Sequence, residues 1–429
     1  MEQNQRNSNL VSLLLIGLLF SIFGFITWLN GTLITFLQTA CQLTNSQASL
    51  VTMAFFISYA VMALPSSAIL RLTGFKNGMG LGLVIMAVGC VLFIPAAHQR
   101  SYPLFLTGLF TQGLGLALLQ TAANPYVTIV GPIESAATRI SLMGICNKLA
   151  GALGSIVLGK ILLDPLKGIN QQIATAAFDK ETLLNELAQK IITPYTVLTI
   201  VLVIVAIFIR FSPLPDVKDE DAVTEAAATR RPLSSYTYLW LGALAIFAYV
   251  GVEVLAGDYI IKFGAYLGVP IEYAKYLTSF TLFFMLAGYA LGVALIPNVI
   301  SQEKALKLNV ICSLVLVIGV LTLTGKAAVF CLAFLGFFHA IMWPAIWPMS
   351  IKGLGKYTKT GAALLIMGIA GGGVIPAIYS SLADKMGGNL QIAFWVMLPC
   401  YAYILFFAMK GHKIGYIPAA KAADAPASL

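Results

Sequence analysis

The sequence contains very few charged residues. Only 10% of its 429 residues are Asp, Glu, Lys or Arg, and 59% are hydrophobic, whereas a soluble domain carries about 25% charged residues. So few charges cannot coat a water-facing surface of this size. The composition therefore excludes a soluble globular protein and predicts a chain that lies in a lipid bilayer.

Histidine and cysteine are scarce as well, and neither forms a recognisable site. The three histidines are scattered, and the sequence has neither a His-Glu-x-x-His motif nor a Ser/His/Asp grouping. The six cysteines include no Cys-x-x-Cys pair, and most lie in apolar runs, where cysteine behaves as a small hydrophobic residue. These absences argue against an enzyme, a metal site and an organic cofactor.

Long apolar runs fill most of the chain. A transmembrane helix needs roughly 20 mainly apolar residues, and twelve runs are of about that length or longer. They lie near 10–37, 46–70, 77–97, 102–130, 139–163, 194–211, 236–267, 272–297, 305–324, 327–351, 360–383 and 390–410. The sequence therefore predicts an all-α membrane protein with twelve transmembrane helices.

A polar segment divides these runs into two sets of six. Residues 212–235 are rich in Pro, Asp, Glu and Ala, and they separate residues 1–211 from residues 236–429. We interpret this segment as a cytoplasmic linker between an N-terminal and a C-terminal six-helix bundle. Two halves of equal helix number are typical of duplicated transporters.

The two halves share short sequence features in register. Gln120 precedes Pro125 by five positions, and His339 precedes Pro344 by the same spacing. A Met-Gly-Ile tripeptide follows each proline at a similar distance. These matches at corresponding helices predict a parallel internal repeat.

The distribution of charge predicts the orientation in the membrane. The net charge is +9, and the basic residues concentrate in segments on the same side as the two termini, which is the positive-inside bias of membrane proteins. We therefore expect both termini in the cytoplasm, with the chain in the bacterial inner membrane. We also expect a monomer whose partners are the lipid bilayer and a small molecule, with no binding of nucleic acid.

Three ionisable residues lie deep in the apolar runs, where charges are costly and mark functional sites by default. Glu253 and Asp258 lie in the seventh run, about 140° apart around an ideal helix unless Gly251 or Gly257 breaks it. Lys148, in the fifth run, needs an acidic partner, which either acid can supply. We interpret the three as the cation-coupling residues; a purely structural ion pair is the alternative.

Amide side chains in the N-terminal half are candidates for sugar binding. Gln120 and Asn124 share one face of the fourth run because they are four positions apart, and Asn147 lies in the fifth run. Amides both donate and accept hydrogen bonds, which suits hydroxyl groups. Asn30 in the first run is a further candidate. Hydrogen bonding between helices is the alternative role for all of them.

Aromatic residues form the second group of candidate sugar contacts. His339, Trp343 and Trp347 recur every four residues in the tenth run, which two prolines interrupt. Indole faces pack on the apolar face of a pyranose, and the indole N–H can donate to a hydroxyl. Trp28 in the first run is a further candidate. We expect His339 to face the same mid-membrane aqueous cavity as the amides of the fourth and fifth runs.

Several of these stretches carry a family resemblance. They are residues 120–126 (Gln-Thr-Ala-Ala-Asn-Pro-Tyr), 249–257 (Tyr-Val-Gly-Val-Glu-Val-Leu-Ala-Gly), 342–346, 351–355, 371–373 and 71–78. In them the chain resembles the fucose–galactose–glucose cation symporters, a branch of the major facilitator superfamily, over nearly its whole length. The resemblance implies the twelve-helix major facilitator fold, sugar uptake and a central binding cavity.

Three positions depart from the pattern of that family. The coupling acid of its fourth helix is here Gln120, the acid that follows Asn30 is here Gly31, and the Gln three positions before Asn147 is here Gly144. Proton coupling through the first and fourth helices therefore does not carry over. The branch that carries glucose, galactose and N-acetylglucosamine resembles the 249–257 motif better than the fucose branch does.

These observations together predict a secondary active transporter. It would import a hexose-type sugar, either glucose or galactose or N-acetylglucosamine, by symport with H⁺ or Na⁺ and by alternating access between its two bundles. An uncoupled sugar facilitator is the first alternative, because the usual coupling acids are missing. A drug or lipid exporter of the same fold is the second, and it would require a mostly apolar cavity.

Overall fold

The computed structural model describes most of the chain, in six stretches: residues 2–129, 136–167, 180–212, 232–296, 299–354 and 357–416. Within these stretches the regular secondary structure is helical throughout. Eleven helical segments are long and apolar enough to cross a membrane, and the longest, Asn45–His98, has 54 residues. Because that segment contains two spans, the fold has twelve, which confirms the predicted class.

Spans 2 and 3 are divided by a reversal at Gly74. A straight helix over Leu50–Val91 would be about 63 Å long, roughly twice the thickness of the hydrocarbon core, about 30 Å. Gly74 has φ 75° and ψ 168°, a conformation that glycine adopts without a steric penalty. The backbone therefore turns back at this residue.

The N-terminal half contains spans 1 to 6, and the backbone is interrupted within span 1. The helices of these spans are Glu2–Thr27 and Asn30–Ala40 (span 1), Leu50–Val91 and Phe93–His98 (spans 2 and 3), Tyr102–Ile129 (span 4), Ala136–Leu163 (span 5) and Ile192–Phe211 (span 6). The loops contain the short helices Asn45–Ala48 and Lys180–Gln189 and the 3-10 helix Asp164–Leu166.

The C-terminal half contains spans 7 to 12, several of which are also interrupted. The helices of these spans are Thr237–Asp258 and Ile260–Tyr266 (span 7), Leu277–Leu295 (span 8), Gln302–Thr322 (span 9), Gly325–His339 and Met342–Ile351 (span 10), Thr358–Met367, Gly368–Ala370 and Gly371–Lys385 (span 11), and Leu390–Ala393, Phe394–Val396 and Met397–Met409 (span 12). The short helices outside them are Leu233–Ser235, Ile271–Ala274 and Gly411–Lys413. Most of the predicted linker, residues 213–231, lies outside the described residues, so the domain boundaries stay a prediction.

The interruption in span 10 lies upstream of its first proline. The helix ends at His339 and restarts at Met342, and Pro348 lies inside the second helix without breaking it. A proline nitrogen has no hydrogen for the carbonyl four residues earlier, and its ring crowds that carbonyl. Pro344 therefore disturbs the backbone near Ala340, and the side chains before and after that point do not share one continuous helical stripe.

The interruption in span 7 follows directly after Asp258. The helix runs unbroken through Gly251 and ends at Asp258, and a new helix begins at Ile260. Of the two glycines considered as break points, only Gly257 is beside the observed interruption. Glu253 and Asp258 therefore lie on one continuous helix and point in different directions.

Within each half, corresponding spans pack at glycines. A Cβ on Gly24 would lie 1.8 Å from the carbonyl oxygen of Asn147, where span 1 meets span 5. A Cβ on Gly371 would lie 1.9 Å from the carbonyl oxygen of Phe247, where span 11 meets span 7. Because glycine has no side chain, helix backbones can approach closely at these positions in lipid. Each half is therefore tightly packed at the equivalent place.

The two halves meet along three pairs of spans: span 5 packs on span 8, span 2 on span 11, and the second helix of span 1 on span 7. The polar contacts between halves extend from mid-membrane to the side opposite the termini, which we call the far side. Within the described residues they include Lys148–Glu253, Ser279–Ala152, Thr52–Tyr259, Ser46–Asp384, Lys275–Asp164 and Lys167–Glu272. These contacts close the far side of the molecule.

Candidate functional site

A buried ion pair joins the two halves within the membrane. The Lys148 Nζ on span 5 lies 3.0 Å from the Glu253 Oε1 on span 7, and the two side chains are only 10% and 11% exposed. Glu253 is therefore the acidic partner that Lys148 was expected to need. In this buried environment each charge is stabilised by the other, because removing one leaves the second uncompensated in a low dielectric.

Trp28 packs directly against this ion pair. The Lys148 Nζ is 4.3 Å from the centroid of the Trp28 ring, which is a cation–π contact. Glycines leave room for the ring: a Cβ on Gly151 would lie 2.4 Å from Trp28 Cδ1, and one on Gly257 would lie 2.3 Å from Cζ3. The Trp28 Nε1 is buried without a hydrogen-bond partner among the described residues, so this donor is unpaired in the present state.

Asp258 is the second buried acid, and it is not part of the ion pair. Its side chain is almost completely buried, and neither carboxylate oxygen makes a hydrogen bond within the described residues. The carboxylate faces the backbone amide of Gly31, near the start of the second helix of span 1. A helix N-terminus stabilises an anion by at most about 2 kcal/mol, whereas burying an unpaired ion costs several kcal/mol. An ionised Asp258 is therefore unstable here without a bound cation.

The predicted amides lie in two different environments. Gln120 and Asn124 are half-buried on span 4, so part of each residue remains accessible. Asn147 donates from Nδ2 to the Phe20 carbonyl at 3.4 Å, which is an interhelical bond between spans 5 and 1. Asn30 is buried, and its Nδ2 lacks a partner in the described part of the chain.

His339 does not face an aqueous cavity in this conformation. The side chain is fully buried, its Nε2 lies 2.5 Å from the Tyr401 hydroxyl, and its ring meets Tyr249 edge-on at 6.1 Å. The expectation that it shares a wet cavity with the amides is therefore wrong for this state. The interruption after His339 turns its side chain into packed aromatic surroundings.

Trp343 and Trp347 form a partly exposed aromatic surface. Their rings stack at 5.3 Å with an interplanar angle of 24°, and both side chains are half-buried. The Trp343 ring also lies 6.4 Å from that of Tyr249. Tyr249 therefore connects the tryptophans with His339 across spans 7 and 10.

Two tyrosines near the site were not among the predicted binding residues. Tyr249 lies on the same helix as Glu253 and Tyr289 lies on span 8, and both are close enough to Glu253 to interact with it electrostatically. Tyr249 begins the 249–257 stretch, so the motif contained a signal for it. Tyr289 is a tyrosine in an ordinary apolar run, and the sequence has no feature that marks it.

The fold and these contacts together define a class of protein. Two six-helix halves that meet at buried ionisable residues within the membrane are the arrangement of secondary transporters. The chain belongs to the Major Facilitator Superfamily, whose sequence profile matches residues 14–376. It is therefore an integral membrane transporter and not an enzyme.

Similar proteins span nearly the whole chain. A glucose/galactose transporter of Brucella abortus biovar 1 (strain 9-941) is 35% identical over 401 residues, which cover 92% of this chain and 93% of the relative. An L-fucose-proton symporter of Escherichia coli (strain K12) is 29% identical over 417 residues, covering 95% and 94%. The crystal structure of FucP, a transporter of the same superfamily in the outward conformation, has a TM-score of 0.71 at 27% identity and covers 94% of this chain and 98% of its own.

Removing one member of the Lys148–Glu253 pair should destabilise the protein more than removing both. Lys148→Met or Glu253→Gln alone leaves a buried group without its partner, which costs about 3–5 kcal/mol when one partner of a buried pair is lost. The double variant leaves no uncompensated charge and should recover much of the loss. Thermal unfolding of the purified variants in detergent measures these differences.

The matched control for this comparison is an exposed ion pair. Lys413→Met removes one partner of Glu303, which also lies 3.2 Å from His412 Nε2. The Lys413 and Glu303 side chains are 62% and 47% exposed, so the cost should be no more than about 1 kcal/mol. Single variants of the buried pair that unfold at the same temperature as Lys413→Met would show that Lys148 and Glu253 do not depend on each other.

Proposed function

We propose that this protein is a secondary active transporter that imports a hexose-type sugar by symport with a cation. The observation that carries this proposal is the buried Lys148–Glu253 pair at the junction of the two halves, with Trp28 packed against it. Ionisable groups inside spans mark ion and substrate pathways. The relatives named as glucose/galactose transporters and as L-fucose-proton symporters support the same substrate class and mechanism.

The candidate residues of spans 1, 4 and 10 have the chemistry that suits a sugar. Trp343 and Trp347 offer a partly exposed aromatic surface for the apolar face of a pyranose. Gln120 and Asn124 offer donors and acceptors for hydroxyl groups, and Trp28 offers an unused N–H. Glucose, galactose and N-acetylglucosamine are the substrates proposed, with Asn30 and Asn147 as supporting residues of the same site.

We assign coupling to the ionisable residues of spans 5 and 7. The family resemblance implies acids where this chain has Gly31 and Gln120, so a coupling cation needs another site. Lys148, Glu253 and Asp258 are the deep ionisable groups that can supply it, with H⁺ or Na⁺ as the cation. To drive accumulation, the cation must bind the sugar-loaded protein differently in the two access states.

Alternating access follows from the contacts between the halves. If the basic loops and both termini lie in the cytoplasm of a bacterial inner membrane, the far side is the external side. The described structure then corresponds to an externally closed state. Import requires the two halves, each tightly packed within itself, to rock apart at that side. Both halves belong to one chain, so a monomer is sufficient.

A transport assay tests the proposed function. Purified protein in proteoliposomes is given radiolabelled glucose, galactose, N-acetylglucosamine or fucose, under an imposed H⁺ gradient, an imposed Na⁺ gradient or neither. We expect accumulation of at least one of the first three sugars above equilibrium under one of the two gradients. Equilibration without accumulation under every gradient would favour an uncoupled facilitator. Absence of uptake for all four sugars would refute the sugar assignment.

Truncation of the tryptophan pair should weaken sugar binding. Trp343→Ala or Trp347→Ala removes aromatic surface from the sugar, and we expect a loss of about 1–3 kcal/mol, which is roughly 5- to 150-fold in Kd. Calorimetric titration of the purified protein with the transported sugar measures this change. Trp395→Ala is the control, because that side chain is 57% exposed on span 12. Unchanged affinity in both span 10 variants would remove the tryptophans from the site.

A further inference from the structure

Among the described residues, Asp258 has no counter-charge of its own. The charged and titratable groups that face it are Glu253 on its own helix, Lys148 on span 5 and the neighbouring Tyr259. The Lys148 ammonium is already engaged by Glu253 at 3.0 Å. That pair is neutral as a whole, so an ionised Asp258 would add a full negative charge to a region closed to water.

The backbone carbonyls just before Asp258 are already partly engaged by hydroxyl donors. In transporters, Na⁺ is coordinated by carbonyl groups of unwound helices. Here the carbonyls of Gly257 and Ala256, just before the interruption in span 7, accept hydrogen bonds from the Thr278 and Thr281 hydroxyls at 2.6 and 3.3 Å. A proton on a carboxylate oxygen needs no such ligand shell, and it makes the buried group neutral.

We propose that Asp258 is the residue that carries the coupling proton, and that the Lys148–Glu253 pair stays ionised and does not carry it. This inference rests on the proposed symport and names its cation and its carrier. The proton binds to the Asp258 carboxylate from external water when the far side is open. It stays bound while the far side is closed, and it leaves to cytoplasmic water when the inner side opens.

Two close contacts link Asp258 to the sugar site. Its backbone packs on span 1, where a Cβ on Gly31 would lie 2.8 Å from the Asp258 carbonyl oxygen. The preceding residue, Gly257, packs on the ring of Trp28, one of the proposed sugar contacts. Asp258 lies at the interruption of span 7, and Trp28 lies at the interruption of span 1. A change in the charge of Asp258 therefore acts where these two backbones meet and position Trp28.

Replacing Asp258 by its neutral isostere separates coupling from transport. Asp258→Asn imitates the protonated carboxyl at all pH values, so it should exchange internal for external sugar at a rate within about threefold of the unmodified protein. It should not accumulate sugar. The unmodified protein should reach an inside-to-outside ratio of up to about tenfold for a pH difference of one unit at one proton per sugar, and Asp258→Asn should reach a ratio of one.

Glu303→Gln is the control variant, because Glu303 pairs with Lys413 at the termini side and is half-exposed. It should accumulate sugar like the unmodified protein. Accumulation by Asp258→Asn would overturn the assignment of Asp258, and accumulation by the unmodified protein under a Na⁺ gradient alone would overturn the assignment of the proton. Failure of the unmodified protein to accumulate any sugar would refute the symport itself, which distinguishes the two proposals.

A second measurement decides the case if Asp258→Asn loses exchange as well. An apolar carbodiimide reacts with protonated carboxyl groups inside membranes, and peptide mass spectrometry of the unmodified protein identifies the modified residue. Labelling of Asp258 that increases as the pH falls, without labelling of Glu253, supports the inference. Labelling of Glu253 in place of Asp258 overturns it.

Discussion

The structure depends on one electrostatic constraint, which is the mutual neutralisation of Lys148 and Glu253. Neither charge can remain alone in the interior of a bilayer protein, so the halves that carry them are held together at this point. Trp28 packs against the ammonium group, and the interruptions in spans 1 and 7 lie beside it. Any movement that separates span 5 from span 7 must replace this contact by water, by substrate or by another ion.

The remaining contacts explain how a local charge can control a large movement. Each half is tightly packed at glycines, as at Gly24 against Asn147 and Gly371 against Phe247, so each moves as one body. The contacts between halves combine helix packing, as of span 5 on span 8 and span 2 on span 11, with a series of polar bonds from mid-membrane to the far side. A change in charge near Asp258 acts where spans 1 and 7 are in close contact across this junction.

The sequence predicted the helical class and the number of spans because hydrophobic length is a strong local signal. It also predicted that Lys148 needs an acid, since the cost of a buried charge is general. It did not distinguish Glu253 from Asp258, because that choice depends on how spans 5 and 7 face each other. The burial of His339 was missed for a related reason: four-residue spacing assumes one continuous helix, and the backbone is interrupted after that residue. Tyr289 approaches Glu253 only through tertiary packing.

Distances across the far side test most directly whether the buried pair holds the halves together. Spin labels at Gln99 and Met386, which are exposed on that side in opposite halves, can be introduced after replacement of the six native cysteines. Double electron–electron resonance in lipid nanodiscs should give one dominant short distance for the intact pair. Glu253→Gln should shift the distribution to longer distances, because the closed state loses its central contact. An identical distribution in Glu253→Gln would contradict the account.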